Sequence, residues 1–500
     1  MTSGGVLALD GSQLTADRID LSGDSIGLGD TTLATADLVL RQFSGDLVFG
    51  NFEGSALSLT ADAGSISAGN IDVSALAADA AGNLTLGDLD VSESLTLTAG
   101  DAAGTQILIG DISYGGVLGF NYANADVTLG DVSAQALNIE LANGNARFGS
   151  VDADSLDVSA VNIVSQDSSL NAETIGLLAA NQLTLDSVNV NASNAVLRAG
   201  NMLSLSDSSI TADQLELRSD EADVSLAGSS LSADSVAIRA GGDVVASGEG
   251  TTIDAGGLGV IAGDRIELAE AQLTVGTGDS PFAGDDTLIA RLPAALRPTS
   301  LNPNAAFTAG GGIRLGGLSM AGDHLYLHTN SVRFSGNITA PTDLFVQFRP
   351  YDDALSLGIE NLASTTQDIN FTVDQHVTVF PGTTLAFGGS TYAGNIVVGD
   401  SAALDLAGHD SNFIFLTSGT ISGATQKIPT NGQVVVLGGT VLDVPEQEPD
   451  ADPGINGAVP PDPEGDSLPG EGGVLVSVAS ADDEDDLIDE TAGGEDAECE

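Results

Sequence analysis

Acidic residues recur at one position of a repeating pattern, and two pairs of them are suited to binding a cation. Asp154 and Glu173 are one repeat apart along the chain, and so are Asp213 and Asp234. If each pair lies on neighbouring coils of a solenoid, its carboxylates are about 5 Å apart. Oxygen ligands at such a spacing fit Ca²⁺. The simpler interpretation is that these residues are a row of solvated corner residues and bind no ion. The Gly-Gly-x-Gly-x-Asp repeat of calcium-binding toxins is absent from the sequence.

Three of the 13 basic residues align at another position of the same pattern. Arg198, Arg218 and Arg239 each follow an apolar run, in three successive repeats. We predict that they stack as a structural ladder and pair with nearby carboxylates such as Glu216. The alternative is a strip that binds an anionic ligand, because guanidinium groups form bidentate pairs with anions.

The other reactive side chains form no recognisable catalytic or metal-binding motif. His324 and His328 are closely spaced, but in a strand they lie on one face about 13 Å apart, too far to share a metal ion. The single cysteine, Cys499, is the penultimate residue and has no partner for an internal disulfide. The sequence has no phosphate-binding loop, nucleophile elbow or Cys–His arrangement. We therefore predict that the chain is not an enzyme and has no cofactor, with Ca²⁺ as the one ion to consider.

Composition limits the class of protein and of partner. Acidic residues number 71 against 13 basic ones, so the net charge of −58 should repel nucleic acids and anionic membrane surfaces. No stretch approaches the roughly 18 apolar residues of a membrane span, so no membrane insertion is expected. Hydrophobic residues make up 42% of the chain, and with 63 Gly and few aromatics they indicate thin stacked layers rather than a bulky core.

The sequence repeats itself about every 20 residues. The run Leu14–Leu21 recurs as Ile210–Leu217 and again as Leu231–Ile238. Further apolar columns lie two positions after and five positions before an apolar anchor residue. Each repeat has one anchor, and the thirteen anchors are Ile19, Leu38, Leu57, Leu76, Leu95, Val117, Leu137, Leu156, Ile175, Ala195, Leu215, Val236 and Leu258.

Alternating apolar and polar residues within each run indicate short strands with one buried face. Gly, Asp, Asn and Ser between the runs provide corners. A coil of this length holds three such strands, and each pairs with its counterpart in the next coil about 4.8 Å away. No coil can bury its apolar face alone, so stability comes from stacking. We predict an all-β fold, namely a right-handed parallel β-helix.

The pattern divides the chain into four parts. Residues 1–275 are predicted to be regular β-solenoid, and the Pro- and Gly-rich residues 276–310 an insertion or joint with a short helix at Thr287–Leu296. Residues 311–443 are predicted to be an irregular terminal solenoid segment that shields the last coil. Residues 444–500 are rich in Pro, Gly, Asp and Glu, which indicates a disordered acidic tail.

Parts of the chain resemble the filamentous-haemagglutinin-like exoproteins of Gram-negative bacteria. The resemblance rests on the step from Asn181–Leu185 to Asn201–Leu205, and on the runs Phe345–Pro350 and Phe380–Leu385. It implies a long right-handed β-helix that is exported through an outer-membrane transporter by two-partner secretion. Proteins of this family begin with a secretion domain, whereas this chain opens in repeat phase. We therefore expect it to be a C-terminal portion of a longer protein.

On this basis we expect a secreted or cell-surface rod of a Gram-negative bacterium that mediates attachment or aggregation. The expected partners are the transporter and a receptor or glycan on a host or neighbouring cell. A secreted chain without disulfides also favours a bacterial exterior. Two alternatives stay open: an acidic, Ca²⁺-binding matrix or surface-layer protein, and a β-helix enzyme that processes polysaccharides.

Overall fold

The structure is a computed structural model of the 500-residue chain. It describes residues 1, 4–9, 11–28, 32–284, 286–336, 338–341, 343–360, 369–372, 383–398, 410–423, 432–438 and 440–442. The predicted acidic tail and Cys499 lie outside the described residues.

The described residues form a parallel β-solenoid of about 19 coils with about 20 residues per coil. The structure therefore confirms the predicted all-β fold. Each regular coil has three faces, which we number in chain order. In the coil anchored at Leu57, the first face begins at Phe52, the second carries Leu57 and Leu59, and the third begins at Ile66. All three faces pair in parallel with the next coil, where Phe52 is opposite Ile71 and Leu57 is opposite Leu76.

Most strands of the regular coils span one or two faces. Up to residue 152 the strands are Val6–Ala8, Gln13–Thr15, Arg18–Gly23, Ser25–Gly27, Thr32–Ala34, Asp37–Gln42, Leu47–Val48, Phe52–Ala61, Ile66–Ser67, Ile71–Ala80, Leu84–Leu86, Leu89–Thr98, Gln106–Ile109, Ile112–Tyr122, Asp126–Leu129, Val132–Leu141, Ala146–Phe148 and Val151–Asp152. They continue as Ser155–Gln166, Ser169–Asn171, Thr174–Asp186, Asn189–Asn191, Asn194–Ala199, Met202–Ser206, Ser209–Ser219, Val224–Ala227, Ser230–Ala240, Val244–Ser247, Thr252–Ala262 and Arg265–Val275.

The strands after residue 300 are shorter. They are Ala305–Ala309, Gly312–Met320, His324–Thr329, Val332–Phe334, Ile338–Thr339, Phe345–Arg349, Leu357–Glu360, Ile369–Thr372, Thr384–Gly388, Ile396–Val398, Asn412–Leu416, Thr420–Ser422, Val434–Val436 and Thr440–Leu442. Second-face pairing continues through this part, from Ala305 opposite Leu325 to Phe413 opposite Val434.

One of the thirteen predicted anchors is wrong. Leu118, not Val117, lies opposite Leu137 and is 3% exposed, whereas Val117 is 54% exposed. The pairing register shifts between Tyr114 and Val117 because one extra residue is accommodated at Gly115 and Gly116. A shift of one residue turns every following side chain to the opposite face of the strand.

The third face supplies a further apolar ladder, which the anchor alignment did not isolate as a column. Its members stack in the interior of successive coils and are almost wholly buried. They are Leu47, Ile66, Leu84, Ile107, Val127, Ala146, Ile163, Leu183, Leu203, Val224, Val244 and Ile266. Three ladders meeting in one narrow core explain why aliphatic residues predominate over aromatic ones in the regular coils.

Residues 276–284 and 286–304 form a strap outside the solenoid. The solenoid itself is continuous across this segment, because Leu258 pairs directly with Ala305. The segment is thus an insertion within one coil and not a joint between two solenoids. Its predicted helix is two short ones, an α-helix at Asp286–Arg291 and a 3₁₀ helix at Ala294–Leu296.

The strap covers the outer side of the second face in the terminal coils. Leu288, Ile289, Leu292 and Leu296 form a separate apolar cluster with second-face residues of the following coils. The solenoid residues of this cluster are Phe345, Ala386, Ile414, Leu416, Val435 and Leu437. Second-face strands in the terminal coils are therefore buried on both sides, which accounts for their nearly continuous apolar sequences.

Candidate ligand groove

An open groove of about 760 Å³ runs along the first face across seven coils. Its floor is formed by the inward-facing residues of this face, and its two walls by the residues immediately before and after them. The floor residues are Phe52, Ile71, Leu89, Ile112, Val132 and Val151; the leading wall has Asn51, Asn70, Asp88, Asp111, Asp131, Ser150 and Ser169; the trailing wall has Glu53, Asp72, Asp90, Ser113, Ser133, Asp152 and Asn171.

The leading wall is a hydrogen-bonded ladder. Each of its Asn and Asp side chains accepts a hydrogen bond through Oδ1 from the backbone N–H of the equivalent residue in the next coil, and Ser150 accepts one through Oγ. The donor–acceptor distances are 2.9 Å from Asn70 N to Asn51, 3.0 Å from Asp88 N to Asn70, 3.1 Å from Asp111 N to Asp88, 2.8 Å from Asp131 N to Asp111 and 2.7 Å from Ser150 N to Asp131. These side chains therefore join the coils, since a carboxylate that accepts a backbone N–H makes a strong hydrogen bond.

A glycine precedes every leading-wall residue except Ser169, and from Gly69 onwards the close stacking of the corner requires it. A Cβ at Gly69 would lie 2.1 Å from Asn51 Oδ1, and one at Gly130 would lie 2.4 Å from Asp111 Oδ1. The motif Gly-(Asn/Asp/Ser)-apolar therefore repeats at the glycines Gly50, Gly69, Gly87, Gly110, Gly130 and Gly149. The same motif also opens the third face of other coils, as at Gly64, Gly82 and Gly144. The sequence signal for the groove is therefore its repetition at the start of the first face, which the apolar columns alone did not show.

The trailing wall has a different character. Glu53, Asp72, Asp90 and Asp152 are exposed, and their carboxylates make no hydrogen bond or ion pair within the described part of the chain. No residue that lines the groove is basic. The trailing wall thus presents free carboxylates to a ligand, while the leading wall holds the coils together.

The groove ends where the corner changes its conformation. Asp167, Ser187 and Asp207 have positive φ angles of 50°, 56° and 48°, a conformation that Asp and Asn tolerate better than most residues. The residue after each of them points into the core, as the buried Ser168 and Ser208 show. Ser208 Oγ accepts the Val188 N–H at 3.1 Å. The last glycine corner of the first face is at Gly149, and the groove ends one coil later, at Ser169 and Asn171.

Three of the four acidic residues predicted as cation ligands, Asp154, Glu173 and Asp213, line a second, smaller groove, and Asp234 does not. Asp154 and Glu173 are in adjacent coils, where the Glu173 N–H donates to the Asp154 carbonyl at 3.0 Å. Asp213 and Asp234 are likewise in adjacent coils, and Ser193 separates this pair from Glu173 in the same column. Among the described residues, no three His, Cys, Asp or Glu side chains are grouped so that they could hold a metal ion.

The three arginines occupy one column on the outer side of the second face, in successive coils. Arg198 and Arg218 share Asp220 as their carboxylate partner, and not Glu216. Asp220 lies 2.7 Å from Arg198 and 2.6 Å from Arg218. Desolvation opposes ionisation of Asp220, but the two guanidinium groups outweigh it and lower the pKa of this carboxyl. Arg239 instead stacks over the Phe282 ring of the strap, 4.5 Å from its centroid.

His324 and His328 lie in one second-face strand near the strap. His324 is fully buried with its ring edge-on to Phe345, at 5.3 Å between centroids. Neither of its ring nitrogens has a hydrogen-bond partner among the described residues. Burial lowers the pKa of both histidines to about 4. They are neutral aromatic packing residues at pH 7.

Comparisons of the chain with protein-family models, with curated proteins and with solved structures find no match. In the described residues, no helix is long and apolar enough to cross a membrane.

Proposed function

We propose that this protein is an adhesive rod on the bacterial cell surface, and that it attaches through side chains presented along its coils. The observation that carries the proposal is the combination of a stack of about 19 coils with a groove that spans seven of them. At a rise of about 4.8 Å per coil, the stack extends roughly 90 Å. Such a rod can hold a binding surface away from the cell.

Export through an outer-membrane transporter of a Gram-negative bacterium is part of the proposal. Support comes from the sequence resemblance to two-partner secretion exoproteins and from the regular, disulfide-free coil stack. Sequential stacking suits a chain that emerges from a pore, because each coil can pack on the one before it.

The proposal includes no catalytic step. The groove walls contain carboxylates, amides and hydroxyls, without the Arg or Lys that would stabilise developing negative charge. The expected receptor is therefore bound and not transformed. Incubating the purified chain with bacterial and plant polysaccharides should release no new reducing ends, and measurable depolymerisation would overturn this part.

Deletion of the gene from the producing bacterium tests the function directly. Antibody against the chain should label intact wild-type cells, and the deletion strain should lose cell aggregation or surface attachment. Complementation with the intact gene should restore both. Labelling only after lysis, or unchanged adhesion in the deletion strain, would contradict the proposal.

A further inference from the structure

We propose that the groove binds an extended, Lys- or Arg-rich peptide segment of a partner protein, which lies along the rod axis. The inference rests on the proposed function and names the chemistry that this adhesive surface recognises.

Charge complementarity selects a cationic occupant. Seven carboxylates line the groove: Glu53, Asp72, Asp88, Asp90, Asp111, Asp131 and Asp152. None of the lining residues carries a positive charge. A second copy of this chain is an unsuitable occupant, because two chains of net charge −58 repel each other and each has only 13 basic residues.

The trailing wall provides the contacts. Asp72 and Asp90 are adjacent along the rod, and both carboxylates lack a partner within the described chain. Cationic side chains that reach them form charge-assisted hydrogen bonds. The ladder residues of the leading wall already use one oxygen to bond the next coil, so the trailing wall determines most of the affinity.

The length of the groove suits an extended peptide. Seven coils at about 4.8 Å each give a track of about 30 Å, which matches roughly nine extended residues at about 3.3 Å each. The floor residues, such as Ile71 and Leu89, turn their side chains into the core, so a bound peptide is contacted mainly by the two walls. Amide side chains such as Asn51 and Asn171 are placed to bond the peptide backbone.

The test measures fluorescence anisotropy of a labelled nine-residue lysine peptide titrated with the full chain at 150 mM salt. One variant removes three free carboxylates of the trailing wall: Asp72→Asn, Asp90→Asn and Asp152→Asn. The matched control removes three exposed carboxylates elsewhere on regular coils: Asp79→Asn, Asp157→Asn and Asp254→Asn. Both variants change the net charge equally, and circular dichroism with a thermal melt verifies that each is folded.

We expect saturable binding by the wild type, a loss of about tenfold or more in affinity for the groove variant, and a change of less than about twofold for the control. Equal weakening of both variants would overturn the inference, because overall charge would then explain the binding. Absence of saturable binding would also overturn it, as would binding of a chitosan oligosaccharide but not of the peptide. A deletion strain that loses adhesion while the chain fails to bind the peptide would leave the adhesive function intact and reject only this ligand.

Discussion

The glycine corner gives the sharpest test of how the groove is built. Replacing Gly130 by Ala places a Cβ 2.4 Å from Asp111 Oδ1 and 2.8 Å from the carbonyl carbon of Gly110. The Asp111 carboxylate must move, and its 2.8 Å hydrogen bond from the Asp131 N–H is lost. The backbone contact also forces the two coils apart at this corner.

The magnitude follows from these contacts. Loss of the hydrogen bond to the charged Asp111 side chain costs about 1.5–3 kcal/mol. This cost is reduced here because Asp111 is exposed and can bond to water instead. Crowding against the neighbouring backbone adds about 1–3 kcal/mol. Ala also restricts the unfolded chain more than Gly does, which offsets about 0.4–1 kcal/mol of the destabilisation. We expect Gly130→Ala to destabilise the solenoid by about 1.5–5 kcal/mol in total.

Gly119→Ala is the matched control in the same pair of coils. A Cβ there meets no atom within 4 Å, so this substitution should be neutral or stabilise by up to about 1 kcal/mol. Urea unfolding followed by circular dichroism measures both changes, and hydrogen exchange of Ile112–Tyr122 and Val132–Leu141 locates them. Equal free energies of unfolding for the two variants would refute the account of the corner.

Three further predictions concern the Arg ladder, the buried histidine and the strap. Asp220→Asn should destabilise by about 0.5–1 kcal/mol, because its arginine partners are partly exposed; the effect should shrink in 1 M salt, and an effect unchanged by salt would argue against ion pairing. His324 has a folded pKa of about 4 against about 6.5 when unfolded, so its contribution is present above pH 6.5 and is lost as the pH falls towards 4. Urea midpoints of the wild type should therefore drop between pH 7 and 4.5 by more than those of His324→Phe, and parallel curves would contradict this assignment. Leu292→Ala should destabilise by about 2–4 kcal/mol and speed hydrogen exchange in Phe345–Arg349, whereas Leu301→Ala, at a side chain 58% exposed, should do neither; equal effects would mean that the strap does not cover this face.

The sequence predicts the repeating coil well, because burial imposes the same alternation on every strand. Leu57, Leu76 and Leu137 lie inside as their positions in the pattern require. The prediction failed at Val117, because a bulge of one residue reverses which side chains point inwards and leaves overall spacing nearly unchanged.

The groove and strap depend on contacts that apolar periodicity does not encode. The ladder from Asn51 to Asp131 joins polar residues of different coils. In the sequence, it can be recognised by the glycine that precedes each of these residues. The partner of Arg198 and Arg218 is Asp220, at the corner that follows the strand, and strand alternation points instead to Glu216. The strap contacts strands far along the chain, such as Val434–Val436, a pairing that only the folded stack creates.

The central claim is that this rod adheres through its first-face groove, and the most direct measurement is aggregation of cells that display the chain. The deletion strain should be complemented in parallel with the wild type, with the trailing-wall variant (Asp72→Asn, Asp90→Asn, Asp152→Asn) and with the control variant (Asp79→Asn, Asp157→Asn, Asp254→Asn), at equal surface amounts by antibody labelling. We predict that the wild type and the control variant restore aggregation and that the trailing-wall variant does not. Full aggregation by the trailing-wall variant, or none by the wild type, would contradict the claim.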